Sequence, residues 1–393
     1  MYLKKNSKRL KKLIANTLNE NTLVLIVFII IFFILTAYNS IEMVELFDLT
    51  IITSIVVSLI VSKLLLYFSK KIQNDLEDSL KLSDDIESLI TFYKKEELVN
   101  IGGIDFPAVV LEKTLFFNKL EIEDIPDRMY NVPEIVSINY KLIFGSHSSS
   151  SVYNNLNIRL DDCNKINDIL VLKTSRTTYF NSLVTNRALD YNLGSSLTLR
   201  KVLQYDNRMG ELSNSSLSNH LGFNVFLITK DDNYVFVKRK GNLSIAKNVY
   251  GCAVSASLKS EYALNNEGKL TVEKLVNAIK NEMMNELCLE DDDYEVGVKN
   301  IVCVYRDLVE GGKPQLLIYV GTHLLADELK QKFKVKKFAN DMKRDGDSLL
   351  FISKEKMKTI KFGYDFVAFK RRKYPFYIST ISCFAILKNL GSL

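Results

Sequence analysis

The sequence predicts a two-helix membrane α-helical hairpin, a helical linker, and a cytoplasmic α+β domain built on a mixed sheet. Three observations carry that fold class. Two long apolar runs lie close together near the N-terminus, an amphipathic charged stretch follows them, and the C-terminal third alternates short β-like runs with one long helix-like segment. The parts divide as 1–71 for the hairpin with its basic N-terminus, 72–100 for the amphipathic linker helix, 101–213 for an intermediate α/β region and 214–393 for the mixed-sheet domain. A chain of 393 residues has room for two or three domains at roughly 100 to 200 residues apiece.

The run Thr22 to Tyr38, TLVLIVFIIIFFILTAY, holds no charge, and the run Leu49 to Phe68 holds only Lys63. At about 1.5 Å rise per residue, each crosses most or all of a hydrocarbon core near 30 Å thick. A cleaved secretory signal fits the first run less well, because no small-x-small cleavage site follows it and a second apolar run comes at once. Lys4, Lys5, Lys8, Arg9, Lys11 and Lys12 precede the first run, Glu42, Glu45 and Asp48 lie in the connecting loop, and Lys70 and Lys71 follow the second. Excess Lys and Arg mark the cytoplasmic side, so both termini are expected there. Lys63, near the cytoplasmic end of its run, snorkels to the head groups or else faces a pore.

Thr50, Ser54, Ser58 and Ser62 repeat a hydroxyl every fourth residue within the second run. Four residues advance a helix by about 400°, so these side chains form one slowly drifting small and polar seam. Such a seam suits close helix packing inside one hairpin, packing between copies in a homo-oligomer, or the lining of a water-filled pore.

Beyond Lys71, Ile72, Leu76, Leu80, Ile86, Leu89, Ile90 and Tyr93 recur at three- and four-residue steps among charges, which is the pattern of an amphipathic helix. Short β-like runs follow, such as AVVLEKTLFF, EIVSINYKLIF and LNIRL. Within TSRTTYFNSLVTNRALDY, Arg176, Tyr179 and Arg187 join hydroxyls and an aromatic ring of the kind that holds a phosphate and stacks a base, although an ordinary helix with solvated arginines also fits. Cys163, Cys252, Cys288, Cys303 and Cys383 lie apart with no CxxC pair, which suits reduced thiols better than a disulfide frame or a zinc site. The net charge of +6 is modest, and no DNA or RNA duplex is expected as a partner.

From Leu221 the runs GFNVFLIT, NYVFVKRKG and NVYGCAV read as three strands, followed by a long helix in GKLTVEKLVNAIKNEMMNELCLEDD, two more strands and the helix-like LADELKQKF. This order, together with the acids of the long helix, resembles the Nudix fold over roughly Leu221 to Leu393. Glu273 takes the first Glu position of a Nudix box, and Glu282 and Glu286 match two of its later acids. Asn281 stands where Arg is expected, Asn285 replaces a further Glu, Cys288 replaces Gly, and Gly268 is one residue out of register. In the family the carboxylates hold divalent metal, and the resemblance implies that Glu273, Glu282 and Glu286 would be the metal ligands if the site still binds Mg²⁺, with Glu286 the catalytic residue if hydrolysis persists. No cofactor is otherwise expected. Lys238, Arg239 and Lys240 end a strand that borders the nucleotide cleft in Nudix proteins, which makes them candidate phosphate contacts. A second basic stretch, KQKFKVKKF, alternates cations with apolar residues and fits phosphate, a membrane surface or a soluble edge.

Taken across the whole chain, the arrangement resembles the transmembrane Nudix effectors of bacterial cyclic-oligonucleotide antiphage (CBASS) systems. The resemblance implies a bacterial inner-membrane protein that binds a cyclic oligonucleotide, forms a homo-oligomer and disrupts the lipid bilayer. A membrane-tethered Nudix hydrolase of nucleoside diphosphate derivatives is the rival expectation.

Overall fold

The computed structural model describes residues 57–58, 60–68, 85–113, 119–147, 154–194, 197–241, 246–340, 346–369 and 372–391. Two compact units divide the chain, one of residues 1–81 with 139–151 and the other of residues 82–138 with 152–393.

In chain order the strands are β1 (Val99–Ile101), β2 (Ile104–Phe106), β3 (Ala108–Lys113), β4 (Lys119–Met129), β5 (Leu156–Ile166), β6 (Ile169–Thr178), β7 (Asn192–Gly194), β8 (Leu197–Thr198), β9 (Gly222–Ile228), β10 (Asn233–Arg239), β11 (Tyr250–Gly251), β12 (Val254–Ser257), β13 (Ile301–Asp307), β14 (Lys313–Gly321), β15 (Gly346–Ser353), β16 (Lys361–Phe362), β17 (Phe366–Phe369) and β18 (Arg372–Pro375). Eight of them form the principal sheet, in the order β11-β10-β9-β14-β13-β3, with β12 pairing with β9 and β15 with β10. β9 and β14 run parallel, with Phe223 opposite Leu316, while the other described pairs in this sheet are antiparallel. β3, which the sequence places in the intermediate region, is thus the edge strand beside β13.

Alternation along the strands sorts the core into two layers. Phe223, Val225 and Leu227 of β9 and Leu316, Ile318 and Val320 of β14 meet Leu275, Ile279 and Met283 of the helix Val272–Leu287. On the other face, Phe226, Tyr305 and Leu317 meet Ile381, Phe384 and Leu387 of the helix Ile378–Asn389. That second helix is buried almost all round, as its nearly continuous apolar sequence requires. The separate sheet β4-β6-β5 adds Leu120, Ile158, Leu160, Leu170 and Leu172 to the first layer.

The linker expected over 72–100 is helical from Ile86 to Phe92, where Asp85 caps it by accepting a hydrogen bond from the Ser88 N–H, and β1 has begun by Val99. NVYGCAV divides into β11 and β12, and KQKFKVKKF lies within the helix Ala326–Asn340.

The expected two-span membrane hairpin, and with it the inner-membrane location, is corrected. No helix among the described residues is long and apolar enough to cross a membrane. Of the two apolar runs, residues 22–38 and 49–56 lie outside the described residues, as do Thr50 and Ser54. Of the second run, the described residues 57–58 and 60–68 are helical. Ser58 and Ser62 are buried there, while Val57, Ile60, Leu64 and Phe68 are exposed. The fold described is a mixed α/β structure with several sheets.

Candidate functional site

The helix Val272–Leu287 starts where the Thr271 hydroxyl accepts a hydrogen bond from the Lys274 N–H (3.2 Å). It ends at Cys288, whose backbone is left-handed (φ 61°) and whose N–H donates to the Met284 carbonyl (3.0 Å). A left-handed helix terminus is the conformation that a residue without Cβ adopts most easily, and here Cys288 adopts it.

A buried clamp holds the turn leading into the helix. Arg176 pairs bidentately with Asp124 (2.7 and 2.6 Å), Thr174 donates to the same carboxylate (2.7 Å), and so does the Leu270 N–H (2.8 Å). The guanidinium also donates to the Gly268 carbonyl (2.7 Å). Burial alone would raise the Asp124 carboxyl, but Arg176 and the two other donors outweigh it and hold the group below its ordinary value. Arg176, expected to meet a ligand, is occupied inside the fold.

Glu273 does not join the other two acids of the helix. Glu273 lies nine residues before Glu282, which puts it about half a turn around the axis, and it is exposed. Glu282 is buried, and its Oε1 accepts from Lys259 Nζ at 3.0 Å. Burial disfavours the Lys259 charge, but Glu282, Tyr262 and Glu286 outweigh burial and raise the group, so the ammonium stays protonated. Among the described residues, no three of His, Cys, Asp and Glu stand as a metal ion would need them. At this pole the chain supplies its own cation.

A second polar cluster lies around the turn between β13 and β14. Arg187 Nη1 donates to the Tyr179 hydroxyl (2.9 Å), so the structure brings together two of the three candidates from the 174–191 segment. Asn186 fixes this segment: its side chain accepts from the Asn219 N–H (2.9 Å) and donates to the Gly311 carbonyl (3.4 Å). Gly311 (φ 67°) sits so close that a Cβ there would lie 2.1 Å from the Asn186 carbonyl oxygen, so only glycine permits the approach.

The β13–β14 hairpin thereby presents Asp307, Glu310 and Lys313 beside Arg187. Lys313 Nζ lies 3.5 Å from Glu310 Oε2 and is buried. Burial and the Glu310 charge push the Asp307 carboxyl up to about 7, against the hydrogen bonds from Ser379 and the Val309 N–H and the charge of Lys313. His220 Nε2 lies 3.0 Å from the Ser257 hydroxyl; burial, with Lys313 and Arg187 adding, holds its imidazole well below its ordinary value and therefore neutral near pH 7. The buried His220 Nδ1, Gln315 Oε1 and Asp307 Oδ2 have no hydrogen-bond partner. Two cations, a tyrosine hydroxyl, a neutral imidazole and a carboxyl that is half protonated near neutrality can hold an anion and read a hydrogen-bonding edge.

The remaining candidates lie elsewhere. Lys238, Arg239 and Lys240 are half-buried at the end of β10, where a bulge falls between Lys238 and Arg239. The bulge cancels the simple alternation expected there, and the Arg239 side chain lies against Gly251. Sequence reading missed His220, Lys259, Asp307, Lys313 and Gln315. The available signal was the charged tip Asp307-Leu-Val-Glu-Gly-Gly-Lys313 between two apolar strands.

No protein-family model and no curated protein matches the sequence. Among solved structures, the chain is similar to the crystal structure of DR0079 from Deinococcus radiodurans, at 14% identity and a TM-score of 0.23, over 35% of this chain and 68% of that one. A likeness at that level carries no argument about fold or activity.

Proposed function

We propose that this chain binds a phosphate-bearing nucleotide, with a cyclic oligonucleotide as the leading ligand class, and does not turn it over. The observation that carries this reading is Lys259, whose ammonium sits 3.0 Å from Glu282 where a Nudix hydrolase would gather its metal. A fixed cation of the protein neutralises the carboxylate but brings no water to attack a phosphate, so the catalyst is lost while the frame survives. Arg187, Lys313 and Tyr179 would supply anion contacts at the β13–β14 turn, and Asp307 in its protonated form would not repel a phosphate. The ligand class comes from the resemblance to antiphage effectors, as does the further proposal that binding drives assembly of a homo-oligomer. Such coupling requires the ligand to prefer the assembled state.

The test is calorimetric titration of the full chain with cyclic di- and trinucleotides and their linear counterparts. Saturable binding of a cyclic ligand is expected, weakened roughly tenfold or more by Arg187→Ala, since a charge-assisted contact contributes on the order of 1.5 to 3 kcal/mol. Binding of none of them, or unchanged affinity in the variant, would remove this site from the reading.

A further inference from the structure

One stretch of the C-terminal part of the chain is strongly basic. Between Lys354 and Lys373 the sequence has eight Lys and Arg residues against Glu355 and Asp365, an excess equal to the +6 of all 393 residues. The first residues of this segment form the helix Lys354–Met357, and Lys361, Arg372 and Lys373 belong to the three-stranded meander β16-β17-β18. Its register sets Lys361 opposite Ala368, and Ala368 opposite Lys373. These three side chains therefore share one face, with the small Ala368 leaving a shallow floor between two exposed lysines about 10 Å apart. Phe366 lies on the same face, and Lys373 Nζ stands 4.3 Å from its ring centroid. On the opposite face, Phe369 and Tyr374 stack at 4.6 Å, with interplanar angle 9°, and Val367 is buried, which anchors the meander to the core. Among the described residues, Lys361, Arg372 and Lys373 make no ion pair with a carboxylate.

Unpaired cations on a β-surface beside an aromatic ring form the chemistry that tracks a phosphate backbone and stacks a base. We infer that this meander binds single-stranded nucleic acid without sequence preference, at a surface separate from the Arg187 cluster. Lys361 and Lys373 contact phosphates, and Phe366 takes a base. A membrane surface fits less well, because elements that lie on a bilayer bury an apolar face, and the outward face here offers one half-buried ring between charges.

The experiment is fluorescence anisotropy of a labelled oligothymidylate with the full chain, in parallel with sedimentation of vesicles containing anionic lipid. Dissociation constants between about 10⁻⁴ and 10⁻⁶ M are expected near physiological salt. Two phosphate contacts give a slope of about −1.4 in log affinity against log salt. Lys361→Glu combined with Lys373→Glu should weaken binding at least about tenfold and flatten that slope, and the milder Lys361→Gln with Lys373→Gln should do so in part. Phe366→Ala should lose about fivefold or more at an unchanged slope. Equal melting temperatures show that the variants fold. Absence of oligonucleotide binding, binding indifferent to the charge reversals, or binding to the vesicles alone would overturn the inference.

Discussion

Asp307 keeps a carboxyl fully inside the protein, next to Glu310 and Lys313, and burial and the Glu310 charge push it up to about 7. In an unfolded chain the same group titrates near 4. The folded state therefore holds a proton that the unfolded state has released across the interval between those values, and stability falls as pH rises through it. Asp307→Asn keeps the shape and removes the titration. In urea unfolding between pH 4.5 and 7.5, the parent is expected to lose stability relative to this variant as pH rises. Parallel pH profiles for the two proteins would show that Asp307 ionises normally in the fold.

Among the elements, the Val272–Leu287 helix depends on the Asp124–Arg176 clamp, because both side chains hold the Gly268–Leu270 turn that aims it. Removing one partner of a buried ion pair leaves the other charge uncompensated, so Arg176→Ala is expected to cost about 3 to 5 kcal/mol in chemical unfolding. A loss below about 1 kcal/mol would mean that the pair does not hold the turn. The helix itself was legible in the sequence, since Leu275, Ile279 and Met283 recur at its period, and so were β9, β10, β13 and β14 as apolar runs. The role of Arg176 was not, because its partner Asp124 lies 52 positions away and only the β4–β6 pairing joins them. Nor was Lys259, which meets Glu282 across 23 positions. The bulge beside Arg239 was not legible either, because a bulge leaves no trace in residue type. The 22–68 region read as two membrane spans from hydropathy alone; that reading is corrected, since no helix among the described residues is long and apolar enough to cross a membrane.

Over the whole molecule, the candidate chemistry lies in three places: Glu282 paired with Lys259, the Arg187–Lys313–Asp307 cluster at the β13–β14 turn, and the basic meander. The central claim is that such a molecule holds a nucleotide without hydrolysing it. The most direct measurement incubates the full chain with excess Mg²⁺ and a cyclic oligonucleotide that it binds, then resolves the nucleotide by chromatography over many hours. Recovery of the ligand intact, with no Mg²⁺-dependent product, is the expected result. Steady Mg²⁺-dependent conversion, abolished by Glu286→Gln, would contradict the claim and make the chain a hydrolase.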